Sequence, residues 1–308
     1  MLETLLNTIP FFATIAFVKC MQKLGYIQKE FIKAVGSITF NIVTPVYIVF
    51  LMQDISLKVS DIKYVLFGIL SFLVFGGVAL LLSKMFHLSK KREGTLLVGF
   101  LSFSVGIVVY PLVQLNYSND TFLQLVLYDC FGLFFLFMTI TYALASYYGT
   151  LLSSAKVHAG SMLESIKKVG ASPVVISMFI GLAVSLLRIQ HLLLTNTYTY
   201  ISNAFGLLVA TLLALSLSLP KRKGIFQLFL FASVKLLTGL ITGVAIAKIF
   251  HLPDDIAQIV ILATAAPVSA SALIFTEQEG LDTEWMGQFT AVSLLLGLAI
   301  LPVVIAIL

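Results

Sequence analysis

Two side chains of opposite charge lie well inside apolar stretches of this sequence. Lys235 lies within LFLFASVKLLTGLITG, residues 228–243, and Asp129 lies within LVLYDCFG, residues 125–132. If these stretches are helices that cross a bilayer, Lys235 is about 15 Å deep at 1.5 Å per residue and Asp129 about 10–12 Å. A charge at that depth is unfavourable by at least ~2.5–3.5 kcal/mol and is normally paired. We therefore expect an Asp129–Lys235 pair, which either supports a functional site or only packs the bundle.

Two further stretches combine proline with small and hydroxyl residues, as a binding site would. They are VGFLSFSVGIVVYPLV, residues 98–113, and ILATAAPVSASALIF, residues 261–275. Pro111 and Pro267 are 156 residues apart and are expected to occupy corresponding positions and to break their helices. Paired interrupted helices indicate a substrate site, although such residues also serve close helix packing. The candidate substrate-binding residues are Ser104, Gly106, Pro111, Ala266, Pro267, Ser269, Ser271 and Asn41, with Asp129 and Lys235 as support or coupling residues.

The composition indicates that these stretches belong to a polytopic helical membrane protein. Of 308 residues, 59% are hydrophobic and 11% are charged, and the mean hydropathy is +1.05. Apolar segments of about 20 residues, the length that crosses a bilayer, recur along the whole chain. Ten spans are predicted, at residues 5–22, 34–53, 63–85, 95–116, 122–147, 172–188, 200–219, 225–248, 256–275 and 287–307.

The distribution of basic residues predicts the orientation of these spans. Fourteen of the 19 lysines and arginines lie in or beside the loops after spans 1, 3, 5 and 7, and four lie on the other side. The positive-inside rule places these loops in the cytoplasm and both termini outside, in the plasma membrane. The net charge of +5 is therefore an orientation signal and does not indicate nucleic-acid binding. Cys20 and Cys130 are predicted to be free thiols, and no metal or cofactor site is expected.

The predicted spans divide into two groups of five. The first half covers residues 1–148, a cytoplasmic connection covers 149–171, and the second half covers 172–308. Because each half has an odd number of spans, the second half must run through the membrane in the opposite direction to the first. Inverted halves of this kind recur among secondary transporters.

Several segments resemble the auxin efflux carrier family, in particular its bacterial malate-permease-like members. The matching segments are LGYIQKEF, FNIVTPVYIVF, LLALSLSLPK, AAPVSASALIFTEQEGLD and LLLGLAILPVVIAIL, and they extend over essentially the whole chain. The family's fourth span usually reads Asn-x-Gly-x-x-Gly-x-Pro, whereas this sequence has SVGIVVYP. Gly106 and Pro111 match, but Ser104 replaces the asparagine and Val109 replaces the second glycine. A serine hydroxyl has a shorter reach than an amide, so this departure bears on substrate identity.

The resemblance implies an all-helical fold of two inverted five-span repeats, similar to sodium/proton antiporters and bile-acid symporters. In such a fold the broken helices of spans 4 and 9 cross at the membrane midplane, and half-helix N-termini attract a carboxylate. It also implies a homodimer and an elevator-like movement of spans 3–5 and 8–10. A lysine in span 8 belongs to a polar support site in this family, and Lys235 matches that position.

The sequence therefore predicts a secondary transporter of small organic anions such as malate, with proton coupling and uniport both open. No GxxxxGK[ST] motif is present, so transport would draw on gradients or on the membrane potential. Two alternatives stay open: a sodium-coupled symporter of the bile-acid type, and a membrane sensor that binds a metabolite without moving it. An enzyme is not expected, since HExxH and GxSxG motifs are absent. The expected partners are the organic anion, the lipid bilayer and a second copy of the chain.

Overall fold

The computed structural model describes residues 2–27, 31, 34, 38–52, 59–153, 173–187, 208, 211, 214 and 224–308. Within these ranges the regular structure is entirely helical. Four helices are long and apolar enough to cross a membrane: Lys63–Met85, Asn119–Leu152, Ile225–Ile249 and Thr283–Ile307. A pair of shorter helices bent by 42°, Lys90–Phe100 and Val105–Asn116, is long and apolar enough for a fifth crossing if the two are counted as one span. The predicted connection 149–171 and the predicted seventh span lie mostly outside the described residues.

Twelve α-helices are assigned within the described ranges. They are α1 Leu2–Lys23, α2 Thr44–Met52, α3 Lys63–Met85, α4 Lys90–Phe100, α5 Tyr110–Asn116, α6 Asn119–Leu127, α7 Tyr142–Ser153, α8 Pro173–Leu186, α9 Ile225–Ile249, α10 Asp254–Thr264, α11 Ser271–Gln278 and α12 Thr283–Ile307. π-helical segments occur at Thr39–Val43, Val105–Val109, Tyr128–Phe134 and Phe137–Thr141, and a 3₁₀ turn at Val59–Ile62 precedes α3.

The turns after α3 and α9 have the same sequence and the same geometry. Phe-His-Leu follows α3 at residues 86–88 and α9 at residues 250–252, a spacing of 164 residues. His87 and His251 both have a φ of 48°, and no other non-glycine residue in the described ranges has a positive φ. In each turn the leucine N–H donates to the carbonyl five residues earlier, at 3.0 Å. This bond satisfies a carbonyl that the end of a helix leaves without a partner.

The same spacing continues through the elements that follow. Both α4 and α10 have 11 residues. Their C-cap residues, Leu101 (φ −85°, ψ 7°) and Ala265 (φ −80°, ψ 1°), have nearly the same backbone angles. The next long helices begin after the N-caps Ser118 and Asp282, and each cap side chain accepts the N–H of the third residue after it. Residues from α9 onward therefore repeat the structure of residues from α3 onward.

This repeat corrects the correspondence expected from the two prolines. At a spacing of 164 residues Pro111 aligns with Phe275, and Pro267 aligns with Phe103. Pro111 lies at the start of α5, where a helix tolerates proline because the first turn has no partner for its N–H. Pro267 instead lies in the non-helical segment between α10 and α11. The two prolines therefore have different structural roles, and their 156-residue spacing is not the period of the repeat.

The two broken helices run in opposite directions. Arg92 and Thr95, near the start of α4, contact Asp282, which precedes α12: Arg92 Nε is 3.4 Å from Asp282 Oδ2, and the Asp282 N–H donates to Thr95 Oγ1 at 3.0 Å. Asp255, at the start of α10, accepts from Thr121 Oγ1 at 3.5 Å, near the start of α6. Each broken helix thus begins at the end of the bundle where the other one finishes.

Glycine allows the long helices to approach the elements beside them closely. A Cβ atom on Gly132 would lie 2.5 Å from the carbonyl oxygen of Tyr64 in α3. A Cβ on Gly239 in α9 would overlap the carbonyl of Thr264 and lie 2.5 Å from the Cα of Ala265. Close backbone approach through small residues is typical of membrane helix interfaces. It holds α3 against the 128–134 segment and α9 against the broken helix of the second half.

Candidate functional site

The candidate site is built from two helix breaks that meet inside the bundle. The first break covers residues 101–104, between α4 and the π-helical segment Val105–Val109, and the second covers residues 265–270. In the first break Ser102 Oγ donates to the Gly99 carbonyl at 2.9 Å, a bond that competes with continued helix. The break in the first half therefore follows from a serine-rich sequence, and the break in the second half contains proline.

Hydrogen bonds between the two breaks satisfy backbone groups that neither broken helix can satisfy alone. The N–H of Ser104 donates to the carbonyl of Pro267 at 2.8 Å. In the other direction, the N–H of Ser269 donates to Ser102 Oγ at 3.2 Å. A third bond joins the Val268 N–H to Ser293 Oγ of α12 at 2.9 Å. The two interrupted segments therefore contact each other, and we call this contact the crossover.

The side chain of Ser104 is the most informative polar group at the crossover. It is 3% exposed, and its Oγ atom is buried with no hydrogen-bond partner among the described residues. A buried hydroxyl without a partner is unfavourable by about 1–3 kcal/mol, so such a group in a native structure calls for a reason. Gly106 follows two residues later and is partly exposed, and a Cβ atom there would have Tyr110 Cε2 as its nearest neighbour, at 4.0 Å. A polar ligand group beside Ser104 would supply the missing partner.

The other candidate residues are distributed unevenly around the crossover. Ala266 is buried within the second break, while Ser269 and Ser271 are partly exposed. Ser269 Oγ accepts from the N–H of Ser271, the first residue of α11, at 3.3 Å. Asn41 is exposed in the π-helical segment before α2, and the bonds that define the crossover do not involve it.

Lys235 lies against the first break and is 1% exposed. Its Nζ donates to the carbonyl of Phe100, the last residue of α4, at 3.0 Å. The same atom lies 4.3 Å from the ring centre of Phe103 and 4.8 Å from that of Phe75. The carbonyl end of a helix carries partial negative charge, and aromatic faces attract cations. The lysine therefore supports the end of α4 directly behind the first break.

The expected Asp129–Lys235 pair is wrong in this structure. Asp129 lies in the π-helical segment Tyr128–Phe134, is partly exposed, and accepts a hydrogen bond from the hydroxyl of Tyr110. The ion pairs found within the described residues are Lys90–Glu93 and Arg92–Asp282. The physical reason is that equal depth does not imply the same side of a helix. Helix α3 packs against both regions, through Phe75 toward the lysine and Ser71 toward Tyr128.

Two contributors to the crossover were not among the sequence candidates: Phe100 and Ser293. Ser293 is a hydrogen-bond acceptor for the second break. Thr290, one turn earlier on α12, has a buried Oγ1 without a hydrogen-bond partner within the described ranges. Gly297, one turn later, lies against Pro267. Thr290, Ser293 and Gly297 are three and four residues apart on α12, and this spacing could have indicated a helix face directed at the break. The role of the Phe100 carbonyl has no sequence signal, because every residue has a carbonyl.

A separate cavity of about 500 Å³ lies at the end of the bundle where α9 and α12 begin. Its lining is mixed in charge and includes Arg92, Gln227, Asp282, Glu284 and Trp285. Among the described residues no group of three or more histidine, cysteine or acidic side chains could hold a metal ion. Cys20 is exposed, Cys130 is buried, and both are free thiols, as the sequence predicts.

Comparison with known proteins does not assign this site to a family. No family model matches the chain, and no curated protein is significantly similar to it. Function must therefore be argued from the crossover and the elements that hold it.

Proposed function

We propose that this protein is a secondary transporter of small organic anions that works by alternating access, with the anion bound at the crossover. We further propose that it is a malate-permease-like member of the auxin efflux carrier family, with ten spans in two inverted repeats. The 164-residue spacing of helix ends, breaks and caps supports the repeat. The opposite directions of the two broken helices support its inversion, and inverted repeats with interrupted helices are typical of secondary transporters.

The observation that carries this proposal is the pair of helix breaks joined by the Ser104 N–H and the Pro267 carbonyl. Non-helical backbone in a membrane protein is tolerated where it is buried in protein or lines a cavity, and in transporters it marks the substrate site. The buried Ser104 hydroxyl offers a free donor and acceptor. Lys235 places a positive charge next to Phe103, the residue before Ser104. A hydroxyl and a nearby cation are suited to a carboxylate.

The packing also supports an elevator-like movement. The close approach at Gly132 holds the 128–134 segment against α3 in the first half. The close approach at Gly239 holds α9 against the second break. The two breaks are in turn joined by hydrogen bonds through Ser102 and Ser104. Spans 3–5 and 8–10 would therefore move as one unit, with the crossover inside it. The mobile unit would work in a plasma-membrane homodimer with both termini outside.

The first test is uptake of labelled malate into proteoliposomes, with and without a pH gradient and with excess unlabelled carboxylates as competitors. We expect saturable uptake that some carboxylates inhibit. Parallel assays in sodium and potassium buffers separate the proposal from a sodium-coupled symporter, which would require sodium. Saturable binding of a carboxylate without any flux would instead establish a sensor and overturn the transport proposal.

Substitutions at the crossover connect any flux to the site. Ser104→Ala removes the buried hydroxyl, and Thr139→Ala is its control, because Thr139 Oγ1 donates only to carbonyls of its own helix. We expect Ser104→Ala to weaken the apparent affinity for the anion and Thr139→Ala to leave it unchanged. An equal apparent affinity for the anion in both variants would contradict the proposal that the anion binds at the crossover.

A further inference from the structure

Asp129 is placed where a carboxyl group can communicate with the crossover. It lies about 15 Å along the long apolar helix Asn119–Leu152, in a π-helical segment, and such segments are frequent at functional sites. The residue is partly exposed, and its carboxyl group accepts from the Tyr110 hydroxyl. The Tyr110 ring is in turn the nearest group to the open side of Gly106, two residues from Ser104. One tyrosine therefore separates Asp129 from the first break.

The internal repeat places Asp129 at the same level as the crossover. At a spacing of 164 residues Asp129 corresponds to Ser293, and Ser104 corresponds to Val268. In the second half Ser293 Oγ accepts from the Val268 N–H at 2.9 Å. The equivalent N–H in the first half, that of Ser104, donates to Pro267 instead. Asp129 is thus the counterpart of Ser293, which bonds to a helix break. Unlike Ser293, it does not accept the equivalent backbone N–H, which is that of Ser104.

Polar side chains form a row between α3 and the 119–134 segment. Tyr64 donates to Gln124 Oε1 at 2.5 Å, and one turn further the hydroxyl of Tyr128 lies 3.1 Å from Ser71 Oγ. This row begins near the starts of α3 and α6, the end of the bundle predicted to face outside. It ends at Tyr128, which directly precedes Asp129. The hydroxyls of Tyr64, Tyr128 and Ser71 each both donate and accept, so each can pass a proton to a neighbouring acceptor.

Among the described residues, the ionisable groups that face Asp129 do not supply a positive charge. They are Tyr110 from α5, and Tyr128 and Cys130 on its own segment. No ion pair in the described part of the chain includes Asp129. A carboxylate inside an apolar bundle without a cation is most easily neutralised by binding a proton.

We propose that Asp129 is a proton-binding site, reached from the outer end of α3 and α6 through the row of Tyr64, Gln124, Tyr128 and Ser71. The inference rests on the proposed transport function, for which it names the coupling ion. A proton taken up from water converts the carboxylate to the acid, and the acid's O–H then donates to the Tyr110 oxygen. The Tyr110 O–H, which donates to the carboxylate in the other state, is released toward the first break. Proton binding at Asp129 is thereby coupled to the hydrogen bonding around Ser104.

Infrared spectroscopy tests proton binding without any substrate. In reconstituted protein titrated from alkaline to acidic pH, we expect a carboxylic-acid C=O band that appears on acidification and moves to lower frequency in D₂O. Asp129→Asn should abolish this band, whereas Asp120→Asn, at an exposed aspartate on the same span, should retain it. Labelling the wild-type protein with ¹³C-aspartate should shift the band, which covers the case that Asp129→Asn does not fold. A band that persists unchanged in folded Asp129→Asn would overturn the proposal.

Two further variants test the connections of Asp129. Tyr110→Phe should shift the band frequency, because the hydrogen bond to the carboxyl group is lost. Tyr128→Phe should slow the exchange of the acid proton for deuterium, because the last hydroxyl of the row is removed. Exchange at the wild-type rate in Tyr128→Phe would show that the proton arrives by another route and contradict the proposed row.

The transport assay separates failure of this inference from failure of the proposed function. If malate or another carboxylate is transported, Asp129→Asn should lose the effect of a pH gradient while retaining exchange of labelled for unlabelled anion. Transport that keeps its full pH dependence in Asp129→Asn would contradict the proton site and still support a transporter. A titrating Asp129 band in a protein without carboxylate flux would support the proton site and contradict the organic-anion function.

Discussion

Replacing Lys235 with methionine separates the electrostatic role of this residue from its contribution to packing. The Lys235 Nζ lies 4.3 Å from the ring centre of Phe103. The Phe103 ring centre is about 3.8 Å from its own Cα and the Ser104 Cα is about 3.8 Å further, so an anion at Ser104 would be up to about 12 Å from the charge. At an effective dielectric constant of about 20, two unit charges at that distance attract by about 1.4 kcal/mol. This corresponds to a roughly tenfold loss of anion affinity in Lys235→Met.

The folding stability of Lys235→Met should change much less than its affinity. Loss of the bond to the Phe100 carbonyl leaves that group without its donor, which is unfavourable by about 1–3 kcal/mol. Removal of a fully buried charge is favourable and offsets this loss, because methionine fills the space without needing a partner. We therefore expect a melting temperature close to that of the wild type.

The assay is the concentration dependence of labelled-anion uptake, together with thermal unfolding in detergent. Lys248→Met is the matched control, because Lys248 is an exposed lysine in the last turn of the same helix. We expect its half-saturation concentration to equal that of the wild type. An unchanged half-saturation concentration in folded Lys235→Met, or an equal loss in both variants, would refute the electrostatic argument.

Two further substitutions test the packing that holds the crossover. Gly239→Ala should destabilise the protein by about 1–3 kcal/mol in thermal unfolding, because the added Cβ meets backbone of the second break, whereas Gly77→Ala, with open space around it, should not. Wild-type stability of Gly239→Ala would show that this contact is loose. Tyr148→Phe removes a 2.6 Å bond to Glu93, which is 9% exposed, and should lower the free energy of unfolding by about 1.5–3 kcal/mol. Its control Tyr147→Phe is at an exposed ring and should change little, and similar effects of the two would contradict the role of Glu93.

The helical membrane class and the two interrupted segments could be predicted from the sequence. Long apolar segments leave no other way to satisfy backbone groups in a bilayer, so composition alone favours helices. The serine- and proline-containing stretches were also correctly selected as the sites of interruption. The position of the first break was less predictable, since Pro111 drew attention to a residue that starts α5 and the break lies earlier, at Ser102.

The partners of the buried charged groups could not be predicted from the sequence. Counting residues from the start of a span gives a depth, and Lys235 and Asp129 are at similar depths. The direction in which a side chain points depends on helix rotation and on a π-helical segment, and neither is determined by hydropathy. The true partner of Lys235 is a main-chain carbonyl exposed because α4 ends at Phe100. The repeat itself was accessible, since Phe-His-Leu occurs at 86–88 and again at 250–252.

The most direct test of the central claim is a combined measurement of stability and anion affinity on Ser104→Ala. The buried Ser104 hydroxyl has no hydrogen-bond partner in the part of the chain that the structure describes, so its removal should raise the free energy of unfolding by about 1–3 kcal/mol when no anion is added. The same change should weaken saturable uptake of the anion and reduce the stabilisation that added anion gives. A more stable variant that transports less well is the result that the crossover site predicts. A variant with wild-type affinity and wild-type stabilisation by the anion would contradict the claim that the anion binds at the crossover.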